Sequence, residues 1–136
     1  STIAKIKSLL ESMPMVKDIN INLVHADFDP ANIFVSQVDG KWKVSAILDW
    51  EFAYAGSWLN DIANILRYSH DMPESFEKSF LKGIEDNGLK LPKDWKMIIH
   101  EHNLASLLDS MTRHNLENCP NIKKDICDLI SHIVDE

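Results

Sequence analysis

Residues 23 to 35 read LVHADFDPANIFV, and they place His25, Asp27 and Asp29 between two apolar runs. A surface turn explains three polar side chains in such a place; so does the working end of an active site. Asp-Pro at 29 and 30 favours a turn or cap, with Asp29 as the capping residue ahead of a place against metal or substrate. The choice depends on what the following residues bring back to this segment.

Asn32 to Asp49, NIFVSQVDGKWKVSAILD, consists of two strand-like runs around Asp39-Gly40. That dipeptide suits the left-handed positions of a tight type I′ turn, so the segment predicts a β-hairpin. With Asp39 and Gly40 as the loop, 38 faces 41, 36 faces 43, 34 faces 45, 32 faces 47 and 30 faces 49. Alternation then gathers Ile33, Val35, Trp42, Val44, Ala46 and Leu48 on one apolar face, expected to pack on the core, and Asn32, Ser36, Lys41, Lys43 and Asp49 on the other. On this register Asn32 and Asp49 are diagonal neighbours, about 7 to 8 Å apart at the backbone. The hairpin thus returns a second acid to the HADFDPAN loop.

The rest is helical by pattern. Ile3, Ile6, Leu9, Leu10 and Met13 have helical spacing, and Pro14 stops that run. An extended stretch from Ile19 leads to Val24. Leu59, Ile62, Ala63, Ile65 and Leu66 mark a helix over 58–69, with Ser57 or Asn60 as a cap. Phe76, Phe80, Leu81 and Ile84 share a side of a helix from about Glu74 that ends at Gly88. Pro92 opens a long helix through about His114, and Pro120 a last one through Val134.

The chain has 136 residues, 45% hydrophobic and 26% charged, which fits one domain with one core. Its formal charge of −7 leaves no basic face for a phosphate backbone, so nucleic acid is not an expected partner. No apolar run approaches the roughly 18 residues of a membrane helix, and the expected location is the cytoplasm. Cys119 and Cys127 form no metal or disulfide pattern and read as free, mostly buried thiols. His100 and His102, two apart on a helix, point to different faces and do not make a metal pair.

Collected together, the chemistry-bearing residues are H-x-D-x-x-x-x-N at 25 to 32 and D-W-E at 49 to 51. Phosphoryl transfer needs a carboxylate to orient an attacking hydroxyl and accept its proton, and oxygen ligands for magnesium on the nucleotide phosphates. Magnesium is small and hard, so Asn and Asp oxygens suit it. Using His25, Asp27 and Asp49 as direct ligands of a metal-dependent phosphohydrolase is a competing arrangement, but two-metal hydrolases usually need more ligands than this. A non-catalytic binding or scaffold lobe is the third reading. Trp50 and Phe52 are expected to pack under the loop, and Glu51 to reach the metal shell or solvent.

LVHADFDPANIFV and AILDWEFAYAGSWLNDIA resemble the C-terminal lobe of the aminoglycoside phosphotransferase and choline kinase group, the small-molecule branch of the protein-kinase-like fold. The resemblance implies an α+β, mostly helical lobe over 1–136, with one β-hairpin carrying the metal-binding residues on four or five helices. It implies Asp27 as catalytic base, Asn32 and Asp49 as magnesium and nucleotide ligands, His25 as a structural brace and Asp61 as a helix aspartate that supports the loop. The cofactors implied are Mg2+ and ATP, and the acceptor is a hydroxyl of a small molecule such as an aminoglycoside, a choline-like alcohol or a sugar. The acidic balance favours a cationic acceptor. Ala26 stands where this group usually has Gly, and Ser57 where it often has Asp.

Nothing in the sequence resembles the Gly-rich loop or the lysine–glutamate pair of the N-terminal lobe. The chain is therefore expected to be a C-terminal lobe that binds ATP poorly alone, needs the N-terminal lobe as partner, and exposes Ile33, Trp42 and Leu48, with homodimerisation a possible result.

Overall fold

The computed structural model describes residues 2–12, 21–113 and 118–135. In chain order the elements are α1 (Thr2–Ser12), β1 (Asn22–Val24), β2 (Ile33–Val38), β3 (Lys41–Ile47), β4 (Tyr54–Gly56), α2 (Leu59–Leu66), α3 (Ser75–Asp86), α4 (Trp95–Arg113) and α5 (Pro120–Asp135). Single 3-10 turns occupy Pro30–Asn32, Trp50–Phe52 and Ser69–Asp71. The fold is mixed α+β and mostly helical. Met13, Pro14, Ile19 and His114, which entered the expected helix and strand boundaries, lie outside the described residues.

The chain divides into two compact units, Ser1–Val16 with Pro92–Glu136, and Lys17–Leu91. The first is helical. Ile126, Leu129, Ile130 and Ile133 recur at the three- and four-residue spacing of one helix face on α5, and all are buried. Ile98, Ile99, Leu104 and Leu107 are the buried positions of α4, which packs on α5, as does α1. Lys5 of α1 pairs with Asp135 of α5. Ile3, expected on the packed face of α1, is exposed.

The second unit carries the strands. In α2 all five expected apolar residues, Leu59, Ile62, Ala63, Ile65 and Leu66, are buried, each large one contributing about 1.5–3 kcal/mol by leaving water. Val24 of β1 is completely buried. The unit holds two small antiparallel sheets: β1 pairs with β4 (Asn22 opposite Gly56, Val24 opposite Tyr54), and β2 pairs with β3. The first sheet was not legible in the sequence. Helix α3 ends as its sequence predicts, with Gly88 left-handed (φ 84°), its N–H bonded to Glu85 O and that of Leu89 to Ile84 O, a Schellman end.

The β2–β3 hairpin corrects the expected register. Val38 faces Lys41 and Ser36 faces Lys43 as predicted, but Phe34 pairs with Ala46 and Ile33 with Ile47. Ser45 is an extra residue, a β-bulge, and its Oγ donates to Phe34 O (3.2 Å). Beyond it every side chain changes face: Ile47 joins Ile33, Val35, Trp42 and Val44, while Ala46 crosses to the other side. That apolar face does not pack on the core as expected. Val35, Trp42 and Val44 are 55%, 71% and 61% exposed, an open apolar surface.

Candidate active site

The site begins where β1 ends. His25 is 2% exposed, yet its backbone N–H and that of Ala26 no longer have strand partners. Asp61, in the first turn of α2, supplies them: Oδ2 accepts from His25 N and Oδ1 from Ala26 N, both at 2.9 Å. The carboxylate thereby holds Ala26 in a left-handed conformation (φ 70°), which costs an alanine about 1–2 kcal/mol. The turn this creates carries Asp27 away from the strand direction.

The His25 ring is occupied on both sides. Its Nδ1 accepts from the backbone N–H of Asp27 (3.2 Å), and its Nε2 lies 2.8 Å from Leu48 O. These partners fix the neutral tautomer with the proton on Nε2. Trp50 packs on the ring at 4.5 Å between centroids and Phe28 at 6.0 Å. With both nitrogens engaged, the ring braces the loop and has no lone pair to offer a metal. Phe52, expected beneath the loop with Trp50, is instead 59% exposed.

Asp29 caps the next turn as its sequence predicts: its Oδ1 accepts from Ala31 N (2.8 Å) and its carbonyl from Asn32 N (2.9 Å), with Pro30 at the first position. Asn32 is thus turned back toward Asp27. Its Nδ2 donates to Asp27 O (3.0 Å) and to Asp27 Oδ2 (3.1 Å). Anchoring the amide nitrogen fixes which end of the side chain, Oδ1, is presented to a ligand.

Asp49 arrives by a different route from the one expected. The bulge replaces the predicted 32–47 pairing, and Leu48 N donates to Asn32 O (2.9 Å) while Leu48 O takes the His25 bond. Leu48 is therefore bonded to both ends of the HADFDPAN loop. Asp49, the next residue, is left-handed (φ 66°, ψ 57°) and exposed, and its side chain makes no cap to the turn that follows. Trp50 Nε1 donates to Ile47 O (2.8 Å) and closes that turn. Glu51 is exposed on it.

Ser57 Oγ lies 3.4 Å from Leu59 N, while Asn60 donates to Tyr54 OH (2.9 Å), so neither expected residue closes α2 with a short cap bond. A Cβ at Gly56 would run into the Tyr54 ring, which explains the glycine there.

Arg67 was not singled out from the sequence, where an arginine ending a helix reads as a partner of the helix dipole. Its Nη2 donates to Asn64 Oδ1 (2.9 Å). Burial pushes its guanidinium below the ordinary arginine value, and electrostatic interactions with Tyr68, Asp27 and Asp29 act in the opposite direction. Among the described residues no group of three or more His, Cys, Asp or Glu is arranged to hold a metal ion. Cys119 and Cys127 are free, but half-buried and exposed respectively, and not mostly buried as expected. Among the described residues no helix is long and apolar enough to cross a membrane.

No curated protein and no solved structure matches the chain. A family model, described as the phosphotransferase enzyme family (APH), matches residues 3–95, a span that holds the loop, the hairpin and α2. The chain belongs to that phosphotransferase family.

Proposed function

We propose that this protein is the acceptor-side lobe of an ATP- and magnesium-dependent kinase that phosphorylates a hydroxyl of a small molecule. The supporting observation is the junction of the 25–32 loop with the end of β3: Asn32 bonded to Asp27 at 3.1 Å, with Leu48 tying Asp49 to the same loop. In this reading Asp27 accepts the proton of the attacking hydroxyl as its oxygen bonds to the terminal phosphorus and the bond to the departing diphosphate breaks. Asn32 and Asp49 would hold magnesium, and their all-oxygen donor set suits it. When bound, that ion neutralises charge on the transferred phosphate. His25 and Asp61 act behind the loop, keeping Asp27 in position without touching substrate. The His25 ring bonds weigh against the phosphohydrolase arrangement, which needs the imidazole as a ligand.

The 136 residues contain no Gly-rich phosphate loop. The proposal therefore assigns adenine binding to an N-terminal lobe, with weak nucleotide binding and little turnover by these residues alone. The exposed Trp42, Val44 and Val35 are the surface we assign to that lobe, or to a second copy in its absence. The charge of −7 favours an amine-bearing acceptor, aminoglycoside or choline-like ahead of sugar, and a cytoplasmic site suits the use of ATP. The test is an ATP-consumption screen of the two-lobe protein against aminoglycosides, choline analogues and sugars, beside Asp27→Ala. Transfer to one acceptor that disappears in the variant is expected. Equal transfer by the variant refutes the role of Asp27.

A further inference from the structure

The bulge at Ser45 decides what the hairpin delivers to the loop, and the proposed chemistry leaves it unexplained. From the Asp39-Gly40 turn to Val35 and Val44 the pairing is that of a regular two-residue hairpin. Continued without a break, it would set Ile33 opposite Ala46, Asn32 opposite Ile47 and Ala31 opposite Leu48. The extra residue moves each partner on by one, so Ile33 faces Ile47 and Leu48 N reaches Asn32 O at 2.9 Å. Leu48 O then lies 2.8 Å from His25 Nε2, and Asp49 follows directly. Apolar burial does not choose between the two registers. Ala46, Ile47 and Leu48 suit either side of the hairpin, and Val35, Trp42 and Val44, on the face that Ile47 joins, are exposed, so no core penalises a slip. The choice falls to polar contacts. At the bulge the exposed Ser45 hydroxyl donates to Phe34 O (3.2 Å), tying the extra residue to the strand it faces.

We propose that Ser45 is a positioning residue for the metal-holding pair: its hydroxyl locks the bulged register, the one in which Leu48 joins both ends of the 25–32 loop and Asp49 emerges at that loop. The inference rests on the reading of Asn32 and Asp49 as that pair. Slippage to the straight ladder withdraws Leu48 N from Asn32 O and Leu48 O from His25, and carries Asp49 one residue along β2, opposite Pro30. One strand position is about 3.3 Å, more than the near-ideal octahedral shell of magnesium tolerates. Ser45 touches neither ion nor substrate and acts through register alone.

Disulfide cross-linking reads the register without any metal. In the full chain with Cys119 and Cys127 replaced by serine, Ile33→Cys/Ile47→Cys bridges across the bulged ladder and Ile33→Cys/Ala46→Cys across the straight one, because the bulge puts 33 and 46 on opposite faces. The first pair should close readily. The second should close little while Ser45 is present, and about two- to twelvefold more when Ser45→Ala is added, the factor for losing one hydrogen bond. Mn2+ binding by proteins without added cysteines, followed by water proton relaxation, should weaken in Ser45→Ala by up to that factor. Ser45→Thr keeps the hydroxyl and should keep both register and affinity. Bridging of Ile33→Cys/Ala46→Cys that Ser45→Ala leaves unchanged overturns the lock. So does unchanged Mn2+ binding in Ser45→Ala while an Asn32→Ala/Asp49→Asn control loses the ion, and the metal site then stands. Mn2+ retained by that control, or not bound by wild type, overturns the metal pair and the positioning role of Ser45 with it, while the cross-links still report the register.

Discussion

Asp61→Ala should destabilise the protein by about 3–4 kcal/mol, although Asp61 contacts no substrate in the mechanism proposed. The wild-type carboxylate accepts two backbone hydrogen bonds at 2.9 Å, from His25 and Ala26. Truncation strands both donors, the first on a residue 2% exposed. A buried donor without a partner costs about 1–3 kcal/mol, so two give about 2–6. The left-handed Ala26, which these bonds hold, is then free to relax and returns part of that cost. Against a total stability of about 5–15 kcal/mol for a domain, the loss is large. Urea unfolding followed by circular dichroism measures it, and amide hydrogen exchange locates it at His25 and Ala26. Asp61→Asn should fall between, since a carboxamide keeps one acceptor and sets an N–H against the other donor. A loss below about 1 kcal/mol, with both amides as protected as in wild type, would refute the reasoning.

Ala26→Gly should be nearly neutral, within about 0.5 kcal/mol, because relief of the left-handed strain is offset by glycine's greater chain entropy; Ala26→Val should cost about 2 kcal/mol or more, and urea midpoints distinguish the two. Gly88→Ala places a Cβ on a residue at φ 84° that ends α3, and thermal unfolding should show a loss of about 1 kcal/mol. Burial pushes the His102 imidazole below the ordinary histidine value of 6.5, so the fold favours the neutral ring. Its contribution is present above about pH 6.5 and is lost as pH falls from there through the lower folded value. His102→Gln should flatten the stability profile over that window, and an unchanged profile would refute the assignment.

What the sequence disclosed was set by local chemistry. Asp39 and Gly40 adopt φ 52° and 73°, the left-handed pair their side chains permit, and the five apolar residues of α2 announced their own face. Asp29 capped the turn that Pro30 begins. Non-local pairing left no such mark. Strand β4 is three residues, Tyr-Ala-Gly, and exists because β1 lies beside it. The bulge at Ser45 was hidden because Ala46, Ile47 and Leu48 are all apolar, so alternation reads equally well on either face. That slip mattered for the site: it exchanged a cross-strand proximity of Asn32 and Asp49 for a route through Leu48. Alternation shows that the hairpin face is apolar and not what covers it, so core packing and exposure of Trp42 and Leu48 were both legible there, and those two are exposed.

The central claim is that the loop at 25–32 and Asp49 form a phosphoryl-transfer centre around a divalent ion. Crystals of the protein soaked in Mn2+ and measured at an energy where manganese scatters anomalously test it most directly. The account predicts an anomalous peak bonded to Asn32 Oδ1 and the Asp49 carboxylate, with the His25 ring still bonded to Leu48 O. A peak on His25, or one that leaves Asn32 and Asp49 unliganded, would contradict it.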